Sequence, residues 1–275
     1  MTEPSFETGR YLYCVVELPE TEVSGFSTTG VDGEGVYLVR VETIGIVVHE
    51  CDTLYDTADV DVVRKWLLEH QNVIDAAGDR FGTPIPFQFD TILRGDDERV
   101  RTWLDRERET FASRLDEMAG CWEYRIEVRR DDDTVEETLR DDERLVELDE
   151  RITESSAGTS HLLERQYEQR LEELKHQQRA DRTAALIEQL EPMVHDLQDL
   201  GHERTTLEME TDTDDEMTRE TRLAVLVHED RQHDIDDLLD DVAADPGVEI
   251  RYTGPWPPYT FTPTIEANDA KSDNI

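Results

Sequence analysis

Lysine is almost missing from this chain: Lys65, Lys175 and Lys271 are the only three among 275 residues. Positive charge therefore rests on arginine, and it is scarce, since 28 basic residues face 68 acidic ones for a formal net charge of −40. Such a field repels nucleic-acid phosphates and anionic lipid headgroups alike, which excludes both as bare-surface partners. Apolar residues make up only 36 % and aromatics 7 %. No apolar run approaches the roughly 20 residues that span a bilayer. The opening MTEPSFETGR has neither the basic start nor the apolar core of a secretory leader, so a cytoplasmic location is expected. Cysteine is limited to Cys14, Cys51 and Cys121, too isolated for the paired ligands of structural zinc. They are expected to be small core hydrophobes.

What the chain has in surplus is acid. Low hydropathy with high net charge is one signature of disorder. A folded protein in strong brine is the other reading, because molar salt shortens the screening length to a few ångström and quiets self-repulsion. Here the acids are interleaved with regular apolar periodicities, which favours the second and a halophilic source.

The first half alternates strand and helix signals. Residues 11–18, YLYCVVEL, form a continuous apolar run, the mark of a strand buried on both faces. A glycine-rich loop follows at 25–35, then a hairpin pairing 36–41 with 44–48. A helix is expected over 59–77, with Val63, Trp66, Leu67, His70, Ile74 and Ala77 as its apolar stripe. Residues 85–93 alternate, placing Ile85, Phe87, Phe89, Thr91 and Leu93 on one face, and Pro84 and Pro86 confine this strand to an edge. A second helix is expected over 97–118, with Val100, Trp103, Leu104, Phe111, Leu115 and Met118 facing inward. A strand then places Trp122, Tyr124, Ile126 and Val128 inside and Glu123, Arg125, Glu127 and Arg129 outside. The order implies an α+β fold with helices on one face of the sheet.

Composition shifts at about residue 131. The stretch 131–200 reads as an acidic helical segment, turning at SSAGTS (155–160), with a long helix over 161–200 that Pro192 should kink. Its four-three apolar spacing suggests a helical hairpin or short coiled coil. Strands at 205–211, 222–228 and 247–253, with a helix near 235–244, complete a second α+β unit. The expected division is a flexible 1–9, an N-terminal α+β domain 10–130, the helical segment 131–200, a C-terminal α+β unit 201–262 and a disordered tail 263–275. A faint echo links Ile46-Val47-Val48-His49-Glu50 with Val225-Leu226-Val227-His228-Glu229, as a duplication would.

Candidate chemistry is thin. His49-Glu50-Cys51-Asp52 is the densest cluster of metal-ligating types, but adjacent strand residues point to opposite faces. His70 lies within an apolar stripe, where a hydrogen-bonded core histidine is the simpler reading. Gly30-Val31-Asp32-Gly33-Glu34-Gly35 precedes a strand and carries acids, the opposite of a phosphate cradle. No catalytic, cofactor or metal residue is singled out. The most specific stretch is Gly254-Pro255-Trp256-Pro257-Pro258-Tyr259-Thr260-Phe261. Its rigid aromatics suit either a tail docked on the protein's own core or a recognition strand for a partner.

Three blocks carry a resemblance to the gas vesicle accessory proteins of the GvpF/GvpL family. They are the opening Tyr11-Leu12-Tyr13; the centre from His70 through Arg80-Phe81-Gly82-Thr83-Pro84-Ile85-Pro86-Phe87-Gln88-Phe89-Asp90-Thr91 to Trp122-Glu123-Tyr124; and the closing Thr253-Gly254-Pro255-Trp256-Pro257-Pro258-Tyr259-Thr260-Phe261. The family's central Pro-x-Arg-Phe-Gly-Thr reads Pro86-Phe87-Gln88-Phe89-Asp90-Thr91 here, with Gln88 and Asp90 in place of Arg and Gly. The acidity and long middle section resemble the haloarchaeal L-type branch.

The resemblance implies two α+β units, ferredoxin-like in fold, and a non-enzymatic role early in gas vesicle assembly with no cofactor. It also implies binding to the small hydrophobic shell subunit of the GvpA type and to other accessory proteins. Candidate interaction or tail-docking residues are Phe81, Pro86, Phe87, Phe89, Trp256, Pro257, Pro258, Tyr259 and Phe261. The competing expectation is an acidic helical scaffold or regulator, unrelated to vesicles, that binds through the helices within 131–200. A metal enzyme centred on His49, Glu50 and His70 is the remote third.

Overall fold

The computed structural model describes residues 5–19, 25–155, 157–201 and 217–262. The chain divides into two units, Met1–Glu123 with Pro255–Ile275, and Tyr124–Gly254. Both are mixtures of helix and antiparallel sheet.

In the first unit, β1 (Ser5–Glu17), β2 (Thr28–Thr29), β3 (Gly35–Val41) and β4 (Ile44–Thr53) precede helix α1 (Val60–Phe81). Short strands β5 (Ile85–Pro86) and β6 (Ile92–Arg94) follow, then α2 (Asp97–Arg106) and α3 (Arg108–Glu117). The sheet runs β2-β3-β4-β1-β5, with β6 also pairing β1, and the pairs of β1 with β4, β5 and β6 are antiparallel. The proline-bearing β5 does lie at the edge.

Helices cover both faces of this sheet, not one. Tyr11, Tyr13, Cys14 and Val16 pack with Val73, Ile74 and Ala77 of α1. Leu12 and Val15 pack with Val100, Trp103, Leu104, Phe111 and Leu115 of α2 and α3. The unbroken apolar run of β1 demands this, because either face left bare would expose a full row of large side chains. A register shift between Leu12 and Cys14 puts the adjacent Tyr13 and Cys14 into one core.

Two expected elements break. The 97–118 helix divides at Glu107 (φ −92°, ψ 3°), and both halves keep their apolar residues on the sheet. The 85–93 strand divides at a turn where Asp90 has φ +61°. That turn sends Ile85, Phe87 and Leu93 into one core and Phe89 against the other, so they do not share a face. Asp90 stands where the resembled family has glycine, and it holds the left-handed conformation that glycine adopts most easily.

In the second unit, most of β7 (Cys121–Asp131) leads to α4 (Asp132–Leu139), α5 (Glu143–Glu154), α6 (Ala157–Leu190) and β8 (Asp196–Asp199), then β9 (Met217–His228), α7 (Gln232–Ala243) and β10 (Val248–Trp256). The sheet order is β10-β7-β9-β8. Helix α6 starts inside SSAGTS and ends at Leu190, where Pro192 stops rather than kinks it, and residues 196–199 pair with β9 instead of continuing the helix. Helices α5 and α6 pack side by side, pinned by Arg170 donating to Asp142 at 3.0 Å. The strand expected at 205–211 and the tail 263–275 lie outside the described residues.

Aspartates cap four helices. Asp59, Asp96, Asp131 and Asp142 each accept backbone N–H bonds at the first turns of α1, α2, α4 and α5. Part of the acid surplus is thus structural, satisfying helix donors where the dipole favours negative charge.

Candidate interaction surface

The central aromatic segment packs on the core, with Pro86 and Phe87 buried and Phe81 and Phe89 half-buried. Phe81 closes α1, leans on Phe26 at 5.7 Å between ring centroids and carries the Arg80 guanidinium over its face at 5.4 Å. Pro86 is buried in β5. Phe87 is buried, donates its N–H to the Tyr13 carbonyl at 2.8 Å and packs on Trp103. Phe89 stands edge-on to Tyr11 and His70.

Beneath it lies a buried chain of tyrosines and histidines. The Asp90 N–H donates to the Tyr11 hydroxyl at 3.1 Å, and that hydroxyl meets His70 Nδ1 at 2.9 Å. Tyr11 therefore gives its own proton to Nδ1, leaving His70 Nε2–H to donate to the Phe87 carbonyl at 3.1 Å. The same logic repeats beside it: the Val31 N–H donates to the Tyr13 hydroxyl, Tyr13 donates to His49 Nδ1 at 2.7 Å, and His49 Nε2 meets the Tyr55 hydroxyl at 2.9 Å. Both histidines are held neutral. Desolvation pulls His49 down to about 4, with a smaller push from His70. It also pulls His70 down to about 4 against the opposing bond to Phe87.

The side-chain polar atoms of Tyr11, Tyr13, His49 and His70 all have partners, and the network holds the loops at Val31 and Asp90 in place. Glu50, next to His49, points outward with its side chain 72 % exposed. Among the described residues no three His, Cys, Asp or Glu side chains gather as metal ligands. The two ends of the internal echo also do different work, since His228 caps a turn by accepting from the Asp230 N–H while His49 is sealed in the core.

The closing segment docks on its own unit. Tyr259 packs against the core that contains β1 and α1, and its hydroxyl donates to Gln71 Oε1 at 2.9 Å. Burial raises the Tyr259 hydroxyl pKa, so it stays protonated and able to donate. Thr260 donates both its N–H and its hydroxyl to the Glu123 carboxylate, each at 2.7 Å. Pro257 and Pro258 are buried, and Phe261 is half-buried. Trp256 alone among the nine candidates stays open, at 40 % exposure. On the same unit, Val60 and Leu68 of α1 are open at 58 % and 65 %.

Strand β7 departs most from expectation. Glu123 and Glu127, assigned outward by alternation, are buried, because both faces of β7 are covered. Glu123 receives the tail, while Glu127 pairs with Arg129 at 2.6 Å and Arg219 at 3.4 Å. Trp122, expected inside, is half-buried and lies against Gly78 of α1, where an added Cβ would stand 2.9 Å from the indole. Glu123 and Gln71 are the site residues that alternation could not reveal, since nothing local marks a carboxylate as the receptor for a segment 137 positions away.

Two units of antiparallel sheet and helix, with aromatic segments spent largely on packing, define a mixed α/β protein. Its fold is that of GvpF from Anabaena sp. PCC7120, with a TM-score of 0.73 at 18 % identity, covering 93 % of this chain and 98 % of that one. GvpF from Microcystis aeruginosa aligns with a TM-score of 0.62 at 17 % identity over 92 % of this chain and 98 % of that one. Residues 9–263 match the gas vesicle synthesis protein GvpL/GvpF family, and the chain belongs to it. Among its relatives, gas vesicle protein L1 of Halobacterium salinarum is 45 % identical, over 96 % of this chain and 93 % of that protein. Gas vesicle protein L of Haloferax mediterranei is 39 % identical, over 96 % and 90 %.

Proposed function

We propose that this chain is a non-enzymatic accessory or minor structural protein of gas vesicle assembly, acting in the cytoplasm by binding the hydrophobic shell subunit and other accessory proteins. Its units are read as ferredoxin-like bodies, with the acidic helices of 131–200 as the hairpin or coiled-coil segment that joins them. A shell subunit with an apolar face tends to aggregate in brine, because salting-out strengthens apolar association. An escort for it needs a few open apolar anchors on a very soluble body, and a net charge of −40 supplies the solubility.

The observation that carries this reading is the closing segment. Pro257 through Phe261 are tied down, yet Trp256 beside them is left open. An exposed tryptophan next to an anchored backbone suits a binding hot spot, since little backbone entropy remains to be lost on docking. Capture of purified shell subunit in about 3 M KCl, by the wild type and by Trp256→Ala, tests it. Strong capture by the wild type and weak capture by the variant are expected. No capture by the wild type contradicts shell binding, and equal capture by both removes Trp256 as the anchor.

A further inference from the structure

The strands at the ends of the two sheets are mostly built to resist further pairing. β2 and β5 are two residues long, and β5 carries Pro86. β8 has four residues and both begins and ends on aspartate. Short edges, prolines and charges that repel a copy are how sheets avoid recruiting more strands. β10 is the exception among the described residues, running nine residues from Val248 to Trp256 with β7 as its one strand neighbour. In a chain of 68 acids and 28 bases, β10 is also neutral, with Glu249 and Arg251 as its charged residues.

The direction of its peptide groups follows from the turn that starts it. The Gly247 carbonyl accepts the Asp131 N–H of β7 at 2.8 Å. Across the trans peptide the Val248 N–H points the other way, where it meets the Asp245 carbonyl at 3.4 Å. Alternation along the strand then aims the Val248 carbonyl, and the N–H and C=O of Ile250 and Tyr252, at the open edge. Side chains alternate too: Glu249 and Arg251 are exposed on one face, and Val248, Ile250 and Tyr252 are half-buried on the other.

This order of residues complements itself. Two copies run antiparallel about a two-fold axis at Ile250 set Glu249 opposite Arg251 of the other copy, and Arg251 opposite its Glu249. Val248 then faces Tyr252, Tyr252 faces Val248, and Ile250 faces Ile250. Opposite charges and aromatic–β-branched neighbours are the pairs that stabilise an antiparallel ladder. The same register brings the outward peptide groups of the two copies together at positions 248, 250 and 252. We propose that the chain forms a two-fold dimer through β10, joining the two four-stranded sheets into one and consuming the open edge. The contact is short, so the dimer is weak and concentration-dependent. Each copy brings a charge of −40, so it forms where molar salt screens their repulsion.

Sedimentation equilibrium of the full chain in about 1 M KCl, over a range of chain concentrations, tests this. The mean mass should rise from one chain toward two. Arg251→Glu sets glutamate opposite glutamate twice, and Glu249→Arg sets arginine opposite arginine, so each variant alone should dimerise about tenfold or more weakly. An equal mixture of the two restores both opposite-charge pairs and should recover the dimer. Both positions are exposed, and a urea midpoint confirms that each variant is folded. In the wild type, amide hydrogen exchange at Ile250 and Tyr252 should slow as the chain is concentrated, a readout that needs no substitution. A single-chain mass at every concentration, or exchange at Ile250 indifferent to concentration, would overturn the proposal. So would a dimer left intact by Arg251→Glu, or no recovery on mixing the folded variants, since the contact would then lie elsewhere.

Discussion

Glu123, wholly buried at the start of β7, accepts both the backbone N–H and the hydroxyl of Thr260 at 2.7 Å. A carboxylate taken out of water needs such donors, and hydrogen bonds to charged groups contribute about 1.5–3 kcal/mol. The closing segment is therefore part of the fold of its unit, not a free arm.

Tail substitutions at three positions should separate sharply. Thr260→Val removes one donor and should cost about 1–3 kcal/mol. Tyr259→Ala empties a core position and unpairs Gln71, costing about 3–5 kcal/mol. Trp256→Ala, at an open position, should fall within about 0.5 kcal/mol of wild type. Urea unfolding of the three variants checks the order, and a Trp256→Ala loss as large as that of Tyr259→Ala would contradict it.

Stability should fall with acid in a defined window. His49 and His70 are held near 4 in the folded protein, below the unfolded value of about 6.5. The unfolded chain then binds more protons between those values, so this contribution is intact above pH 6.5 and is lost as pH drops toward 4. Each histidine accounts for at most about 3 kcal/mol. His70→Gln should lower overall stability yet roughly halve the pH slope between 6.5 and 4, and an unchanged slope would exclude His70 as a source.

The charge surplus predicts a salt requirement. With a net charge of −40, self-repulsion is large at low ionic strength and largely screened at about 1 M, where the Debye length is about 3 Å. The thermal midpoint should climb steeply from about 0.1 M to about 2 M KCl. A midpoint indifferent to KCl would contradict adaptation to brine.

Much of the first unit was legible because its signals were local. The run at Tyr11 to Val16 demanded a doubly covered strand, and the stripe Val100, Trp103, Leu104, Phe111, Leu115 predicted the buried faces of α2 and α3. What escaped was set by tertiary partners. Alternation alone cannot tell that β7 is covered twice, so Glu123 and Glu127 read as solvent-facing until Thr260, Arg129 and Arg219 are seen opposite them. A single left-handed residue, Asp90, reversed the face of Phe89. Composition cannot distinguish a core filler from an anchor: Pro86 and Phe87 are buried, Phe81 and Phe89 half-buried and Trp256 exposed, and only the fold sorts them.

Deleting the gene in a buoyant haloarchaeal strain and imaging cells by electron microscopy tests the central claim most directly. The account predicts colonies that sink and cells with few or no gas vesicles, restored by the wild-type gene and poorly by Trp256→Ala. Normal numbers of full-sized vesicles in the deletion strain would contradict it.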